Sequence, residues 1–257
     1  LLHFFWQDGM DRETIVVWFS CGAASAVAAM KTLEKYGSTH NVRIVNNYVK
    51  EEDADNRRFL KDVEKWLGVE IEDCRNSKYP AGSCVEVWDD RKFMSAVNGA
   101  PCTYELKKVA RQQWERVNKF HHTVLGFTYD EIARHDNFCL TERAILPILI
   151  DAKLTKGDCF NIVKAAGIEL PMAYKKGLPN ANCIGCVKAT SPTYWNLVRT
   201  EYPEVFEERR HQSDRIGAKL VRYKGNRISL TELPPEAKGR PLKNMNFECG
   251  IFCEERM

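Results

Sequence analysis

With 257 residues, 44% of them hydrophobic and 28% charged, the chain has room for one large domain, or one domain with an appendage, around a proper core. A formal net charge of +3, from 38 basic and 35 acidic residues, is too small to demand a nucleic-acid partner and does not exclude one. The longest apolar run, 144–150, contains Pro147 and is far too short to span a bilayer. Ten cysteines imply a reducing compartment, where thiols serve metal or redox chemistry rather than disulfide staples, so a soluble, cytoplasmic protein is expected.

Leu1 to Trp6 is apolar but lacks a basic flank and a small-residue cleavage site, and reads as a short N-terminal arm rather than a targeting signal. Ile15 to Phe19 is a compact apolar run ending in small residues, and Ala26 to Tyr36 follows with Val27, Met30 and Leu33 at helical spacing. Arg43 to Val45 begins a second strand, followed by an acidic loop and a helix from Asn56 to Leu67. Val69 to Ile71 is a third strand, a helix spans Leu106 to Lys119, Thr123 to Phe127 is a fourth strand and Ile145 to Ile150 a fifth. Short apolar strands alternating with helices predict an α/β fold, a parallel five-stranded sheet covered by helices on both faces. Its ligand belongs outside the carboxyl ends of the strands, which makes the loops after Phe19, Ile44 and Leu125 the expected walls.

Beyond Leu154 the pattern changes. A helix opens at Thr155 and runs to Ala166, Pro171 to Asn182 reads as loop, Ser191 to Ala218 as helix, and Gly225 to Gly239 as a turn-rich connector. The division expected is a nucleotide-binding core over 1–154 and a C-terminal helical and loop module bearing cysteines over 155–257.

Two sets of residues carry chemistry. Ser20-Cys21-Gly22-Ala23-Ala24-Ser25 joins the first strand to the first helix; its small side chains let backbone amides and the helix N-terminus approach an anion. It is not the Walker pattern, since no Gly-Lys-Ser/Thr closes it, and an ordinary tight turn reads equally well. The second set is cysteines. Cys183-Ile184-Gly185-Cys186 is half of a metal site, Cys102 lies upstream, and the tail offers Cys249 and Cys253. Zinc and an iron–sulfur cluster both remain open on spacing alone. Cys21, Cys74, Cys84, Cys139 and Cys159 show no ligand spacing; Cys139 and Cys159 read as small core residues, and Cys21 as a packed thiol.

The strand followed by Ser-x-Gly-x-x-Ser and a helix resembles the pyrophosphate-binding loop of the adenine-nucleotide α-hydrolase superfamily, which includes ATP pyrophosphatases and sulfonucleotide reductases. Ala24 stands where ATP-splitting members carry aspartate, a departure that favours the reductase branch. Leu125-Gly126-Phe127-Thr128, with Glu131 and Arg134, is similar to that branch's fourth-strand segment. The resemblance implies that Gly126 admits purine or ribose and that Arg134 meets a phosphate or sulfate; a surface pairing of Arg134 with Asp130 is the alternative. Cys102-Thr103, Lys107 and the Cys183–Cys186 pair resemble the iron–sulfur adenylyl-sulfate reductases, which carry a tandem Cys-Cys where Thr103 stands here. Glu248-Cys249-Gly250 resembles their catalytic tail, with Phe252 in place of a histidine.

What this resemblance implies is a [4Fe-4S] cluster on Cys102, Cys183, Cys186 and Cys253, with Lys107 beside it and Cys249 as nucleophile; exchange of the two tail roles is also open. The substrate would be adenylyl sulfate or its 3′-phosphorylated form (PAPS), bound on Ser20 to Ser25, and a thioredoxin-type reductant would release sulfite. A homo-oligomer is expected. Lys175 and Lys176 would hold phosphate or sulfate, or be solvated charge. The alternative enzyme is an ATP-dependent sulfurtransferase that thiolates RNA, DNA or a small molecule, which three cysteines before the tail and one open iron would suit. A nucleotide or redox sensor without turnover is a third reading.

Overall fold

The computed structural model describes residues 12–96, 99–142 and 144–242. The chain opens with strand β1 (Thr14–Phe19), helix α1 (Ala23–Tyr36), β2 (Asn41–Asn47), α2 (Asp55–Leu67) and β3 (Ile71–Cys74). A long connection follows, containing α3 (Cys84–Arg91), α4 (Pro101–Thr103), a π-helical stretch at Tyr104–Val109 and α5 (Ala110–Val117), the last three running on without a break. Then come β4 (His122–Val124), α6 (Ile132–Cys139), β5 (Ile145–Leu146), α7 (Ile148–Asp151), α8 (Lys156–Ala165), α9 (Met172–Lys175), α10 (Pro192–Glu201), α11 (Pro203–Ile216) and a hairpin of β6 (Val221–Tyr223) and β7 (Asn226–Ile228).

The first five strands form one all-parallel sheet in the order β3-β2-β1-β4-β5, as the alternation of apolar runs and helices predicts. β1 is buried along its whole length and sits centrally because both of its faces are apolar. Ile15, Val17 and Phe19 enter the layer covered by α1, α2 and α8, while Val16 and Trp18 enter the layer under Ala110 and Trp114 of α5. Strand order reverses between β1 and β4, so the loops after these two strands face each other across the crevice where parallel sheets bind ligands.

A further core lies beyond the strand ends. It joins Val49, Val87, Trp88 and Leu106 to Ile184, Tyr194, Trp195, Phe206, Leu220 and Leu230. Residues from both sides of Leu154 enter this core and the sheet core alike. Among the described residues no helix is long and apolar enough to cross a membrane.

Several element boundaries differ from the sequence expectation, each for a local reason. β5 stops at Leu146 rather than Ile150 because Pro147 withholds a ladder donor; the apolar residues after it turn into α7, with Leu149 fully buried. β4 ends at Val124, and β3 starts at Ile71 instead of Val69. The helix expected over 191–218 is two helices, broken where Tyr202 leaves helical geometry and Pro203 starts α11. Helix α3 was not legible as a run of apolar periodicity; its eight residues are started by the Ser83 hydroxyl, which accepts from the Glu86 amide.

Candidate functional site

The turn from β1 into α1 is tight and tied to itself. Ser25 Oγ accepts from the Ser20 amide at 3.1 Å and donates to the Gly22 carbonyl at 2.9 Å. Cys21 takes φ +55, a left-handed conformation that disfavours any residue with a Cβ, and the surrounding bonds hold it there. Cys21, Gly22, Ala23 and Ser25 are buried, while Ser20 is exposed and Ala24 half-buried. The first amides of α1 have no acceptor within the helix. The Tyr174 hydroxyl, buried and pushed up to about 12 by desolvation, meets the backbone of Ala23 and Ala181 and so occupies one side of this turn.

Gly126 lies against the same turn and packs on it closely. A Cβ there would stand 2.8 Å from the Ser25 amide nitrogen and 3.1 Å from the Ala24 carbonyl carbon. Its missing side chain is what lets the loop after β4 close on the start of α1. Gly126→Ala is therefore expected to cost about 1–3 kcal/mol, because the neighbour is backbone and cannot swing away; a denaturant titration checks this. Arg134, on α6, donates to Glu131 at 2.7 Å and stacks on Phe127 at 4.9 Å.

Arg57, from the first turn of α2, reaches the anion turn from the side. It donates to Asn46 Oδ1 at 3.1 Å and to Cys21 Sγ at 3.2 Å. Cys21 itself is held well above the ordinary thiol range by burial and by Glu52, which suits a packed thiol rather than a nucleophile.

The cysteine cluster is the second half of the site. Cys84, Cys102, Cys183 and Cys186 line one pocket together with Val49, Trp88, Lys107 and Lys188. Cys102 comes from the short turn that opens the π-helical segment, the Cys183–Cys186 pair from a loop, and Cys84 from the first residue of α3. Cys84 was set aside on sequence as lacking ligand spacing, yet it stands within hydrogen-bonding reach of Cys102 and Cys183. The fourth thiol of the pocket is thus Cys84. Cys249 and Cys253, expected as nucleophile and fourth ligand, lie outside the described residues.

The loop bearing the pair is fixed by its own chemistry. Gly185 takes φ +67, and a Cβ there would press on Val205 and on the buried Arg209. The Cys186 amide donates to the Tyr194 hydroxyl at 2.8 Å, and the Trp195 indole donates to the Ala189 carbonyl at 2.7 Å, so α10 holds the loop from below.

Electrostatics around the pocket favour negative charge. Cys84 is raised because it keeps a proton shared toward Cys102 and Cys183 and is buried; Cys102 is lowered, chiefly by that contact with Cys84. Trp88 Nε1 makes no hydrogen bond of ordinary geometry, but it faces the Cys102 sulfur closely enough to favour the thiolate. Lys107, with a side chain 6% exposed, and Lys188 also line the pocket. Behind Trp88 lies Arg209, 2% exposed, its guanidinium 4.9 Å from the indole ring and its Nε without a partner. Sequence alone reads Arg209-Arg210-His211 as solvated helix charge. Burying a guanidinium is costly unless it is paired, and the partner here is Gln212, whose Oε1 accepts from Arg209 Nη1 at 2.7 Å.

Four thiols lining one pocket with two lysines could supply a cubane cluster, which takes one thiolate per iron. Among the described residues no group of three or more His, Cys, Asp or Glu side chains is arranged to hold a metal ion.

Other sequence candidates are engaged elsewhere. Lys175 pairs with Glu169 at 2.6 Å; Lys176 donates to the Glu201 carbonyl and lies over the Tyr202 ring at 3.8 Å. Neither lines the thiol pocket. Cys159 is fully buried as expected, whereas Cys139 is exposed on α6 beside His135, since that short helix buries none of its residues.

No protein-family model matches the chain, and no curated protein is similar to it in sequence at a significant level.

Proposed function

We propose that the protein is a sulfonucleotide reductase-like enzyme with the adenine-nucleotide α-hydrolase type of fold. In this reading a [4Fe-4S] cluster is held by Cys84, Cys102, Cys183 and Cys186. The observation that carries it is the convergence of these four thiols with Lys107 outside the carboxyl ends of a parallel sheet, next to a small-residue turn at a helix N-terminus. When bound, the cluster would anchor the four thiols beside the substrate site, with Lys107 carrying the positive charge that faces the sulfate; it would not relay electrons to sulfur.

The chain's own residues do the rest. The turn from Ser20 to Ser25 and the N-terminus of α1 hold the nucleotide phosphate, with Arg57 as the nearest guanidinium. Lys107 holds the sulfate. Cys249 attacks the sulfate sulfur as a thiolate; the sulfur–oxygen bond to phosphate breaks and the nucleoside phosphate leaves with that electron pair. The cysteine S-sulfonate left behind is cleaved by a dithiol. One of its thiols attacks the Cys249 sulfur and expels sulfite, and its second thiol closes a disulfide that carries away the two-electron oxidation. With Cys84 as fourth ligand, the tail need not supply one, and the warrant for a sulfurtransferase with an open iron falls away.

The test is anaerobic incubation of the reconstituted protein with adenylyl sulfate and, separately, PAPS in the presence of a thioredoxin-type dithiol. Sulfite release from one of them is expected, with an S-sulfonate adduct on Cys249 trapped when the dithiol is withheld. Sulfite release undiminished in Cys249→Ser, or conversion of ATP to pyrophosphate with thiolation of an acceptor, would reject the proposal.

A further inference from the structure

The two halves of the site are joined by a dipeptide that the expected chemistry does not use. Glu51 and Glu52 follow β2 and sit between the anion turn and the thiol pocket. Glu51 Oε2 accepts from the Cys84 amide at 2.7 Å and its Oε1 from the Ser83 hydroxyl at 2.7 Å, so this carboxylate caps the helix that begins with Cys84. The Glu51 carbonyl accepts from the Ile184 amide at 2.9 Å, and Glu52 pairs with Cys183 in an isolated antiparallel bridge. One short segment therefore sets the position of Cys84 and of the Cys183–Cys186 loop together, although about 100 residues of chain separate them.

Glu52 looks the other way. Its side chain is 4% exposed and stands between two cations, 3.6 Å from Arg57 Nη2 and 3.7 Å from Lys107 Nζ, while Asn56 donates to it at 3.1 Å. Arg57 is the residue that touches Cys21 in the anion turn, and Lys107 lines the thiol pocket. A continuous polar chain thus runs from Cys21 through Arg57, Glu52 and Lys107 to the thiols.

We propose that Glu52 couples the two binding events, and that Glu51 is the positioning residue that holds the thiol pocket in shape; this rests on the reading of the turn as a nucleotide site and of the pocket as a metal–thiolate site. One carboxylate serves two cations. An anion on the turn draws Arg57 toward itself and leaves Glu52 to Lys107 alone. A negatively charged metal–thiolate site draws Lys107 and leaves Glu52 to Arg57 alone. Each ligand strengthens the carboxylate's hold on the cation that the other one needs, so the two weaken each other, and by linkage they do so to the same extent.

The probes are AMP, titrated calorimetrically, and Co2+, whose thiolate charge-transfer absorption reports binding to the cysteines. Both are measured anaerobically on the metal-free protein, each in the absence and presence of the other. In the wild type, Co2+ is expected to weaken AMP about fivefold or more, and AMP to weaken Co2+ by the same factor. Glu52→Gln is expected to reduce that factor below about twofold, while Glu51→Ala weakens Co2+ by about tenfold and leaves AMP binding to the metal-free protein within about twofold. Because Glu52→Gln leaves Lys107 buried without its carboxylate, the double variant Glu52→Gln/Lys107→Met, which removes both charges, is measured beside it, with circular dichroism as the check on folding. Full wild-type coupling retained in either folded variant overturns the proposal, as does independent binding of the two probes to the wild type; in both cases the sites themselves stand. Failure of AMP to bind, or of Co2+ to develop thiolate absorption, takes down the functional reading and this inference with it.

Discussion

Cys84→Ser is expected to strip the anaerobically prepared protein of its iron and sulfide, by about tenfold or more, along with the broad visible absorption of a thiolate-bound cluster. Cys84 is 2% exposed, begins α3 under the Glu51 carboxylate and reaches toward both Cys102 and Cys183, so it joins the other three cysteines in lining one pocket. Serine keeps the volume and the helix cap but offers a hard, protonated oxygen where soft iron wants a thiolate. The same change at Cys139, exposed on α6 and remote from the pocket lining, is expected to leave iron content unaltered. Iron and acid-labile sulfide assays on both variants decide it; equal loss in the two, or retention in Cys84→Ser, counts against Cys84 as a ligand.

The second large effect is on stability. Trp88→Ala is expected to cost about 3–5 kcal/mol, the range for deleting a buried aromatic side chain without refilling its space. Trp88 is 2% exposed, packs in the core that supports the thiol pocket, and provides the ring face on which the buried Arg209 rests. Alanine removes the packing and leaves that guanidinium without its platform, two losses at one site. For a chain of this size the thermal midpoint should fall by roughly 10 °C. Trp88→Phe, which keeps a ring under Arg209 but deletes the N–H facing Cys102, should recover most of that fall. A midpoint for Trp88→Ala within about 2 °C of wild type would mean that this core does not depend on the Trp88 ring.

The sheet was legible because its signal is local. Alternating apolar runs of β-branched residues, separated by helical spacing, define five parallel strands with little ambiguity, and Ser20 to Ser25 is visible as a turn of small residues before a helix. The thiol pocket was legible only in part. Cys183 and Cys186 announce themselves by spacing and Cys102 by its likeness to a known pattern, but Cys84 has no neighbour in sequence that marks it. Its partner is Glu51, 33 residues away, and no periodicity relates an N-capping carboxylate to the helix of another segment. Arg209 was missed for the opposite reason. It sits in a run of charge that looks solvated, and only the fold reveals that α11 turns this one guanidinium inward onto Trp88. Gly126 shows a third kind of gap: a glycine that suits ligand approach and one that suits backbone packing look identical in sequence, and only the structure shows how closely Gly126 lies against the start of α1.

Differential alkylation of the metal-loaded protein shows which thiols hold the metal. Iodoacetamide is applied before and after a chelator removes the metal, and each cysteine is read by peptide mass. Cys84, Cys102, Cys183 and Cys186 should be protected as a set and become reactive together on chelation, while Cys249 and Cys253 are labelled in both states. Labelling of Cys84 in the loaded protein, with Cys253 protected in its stead, would rule out Cys84 as a ligand.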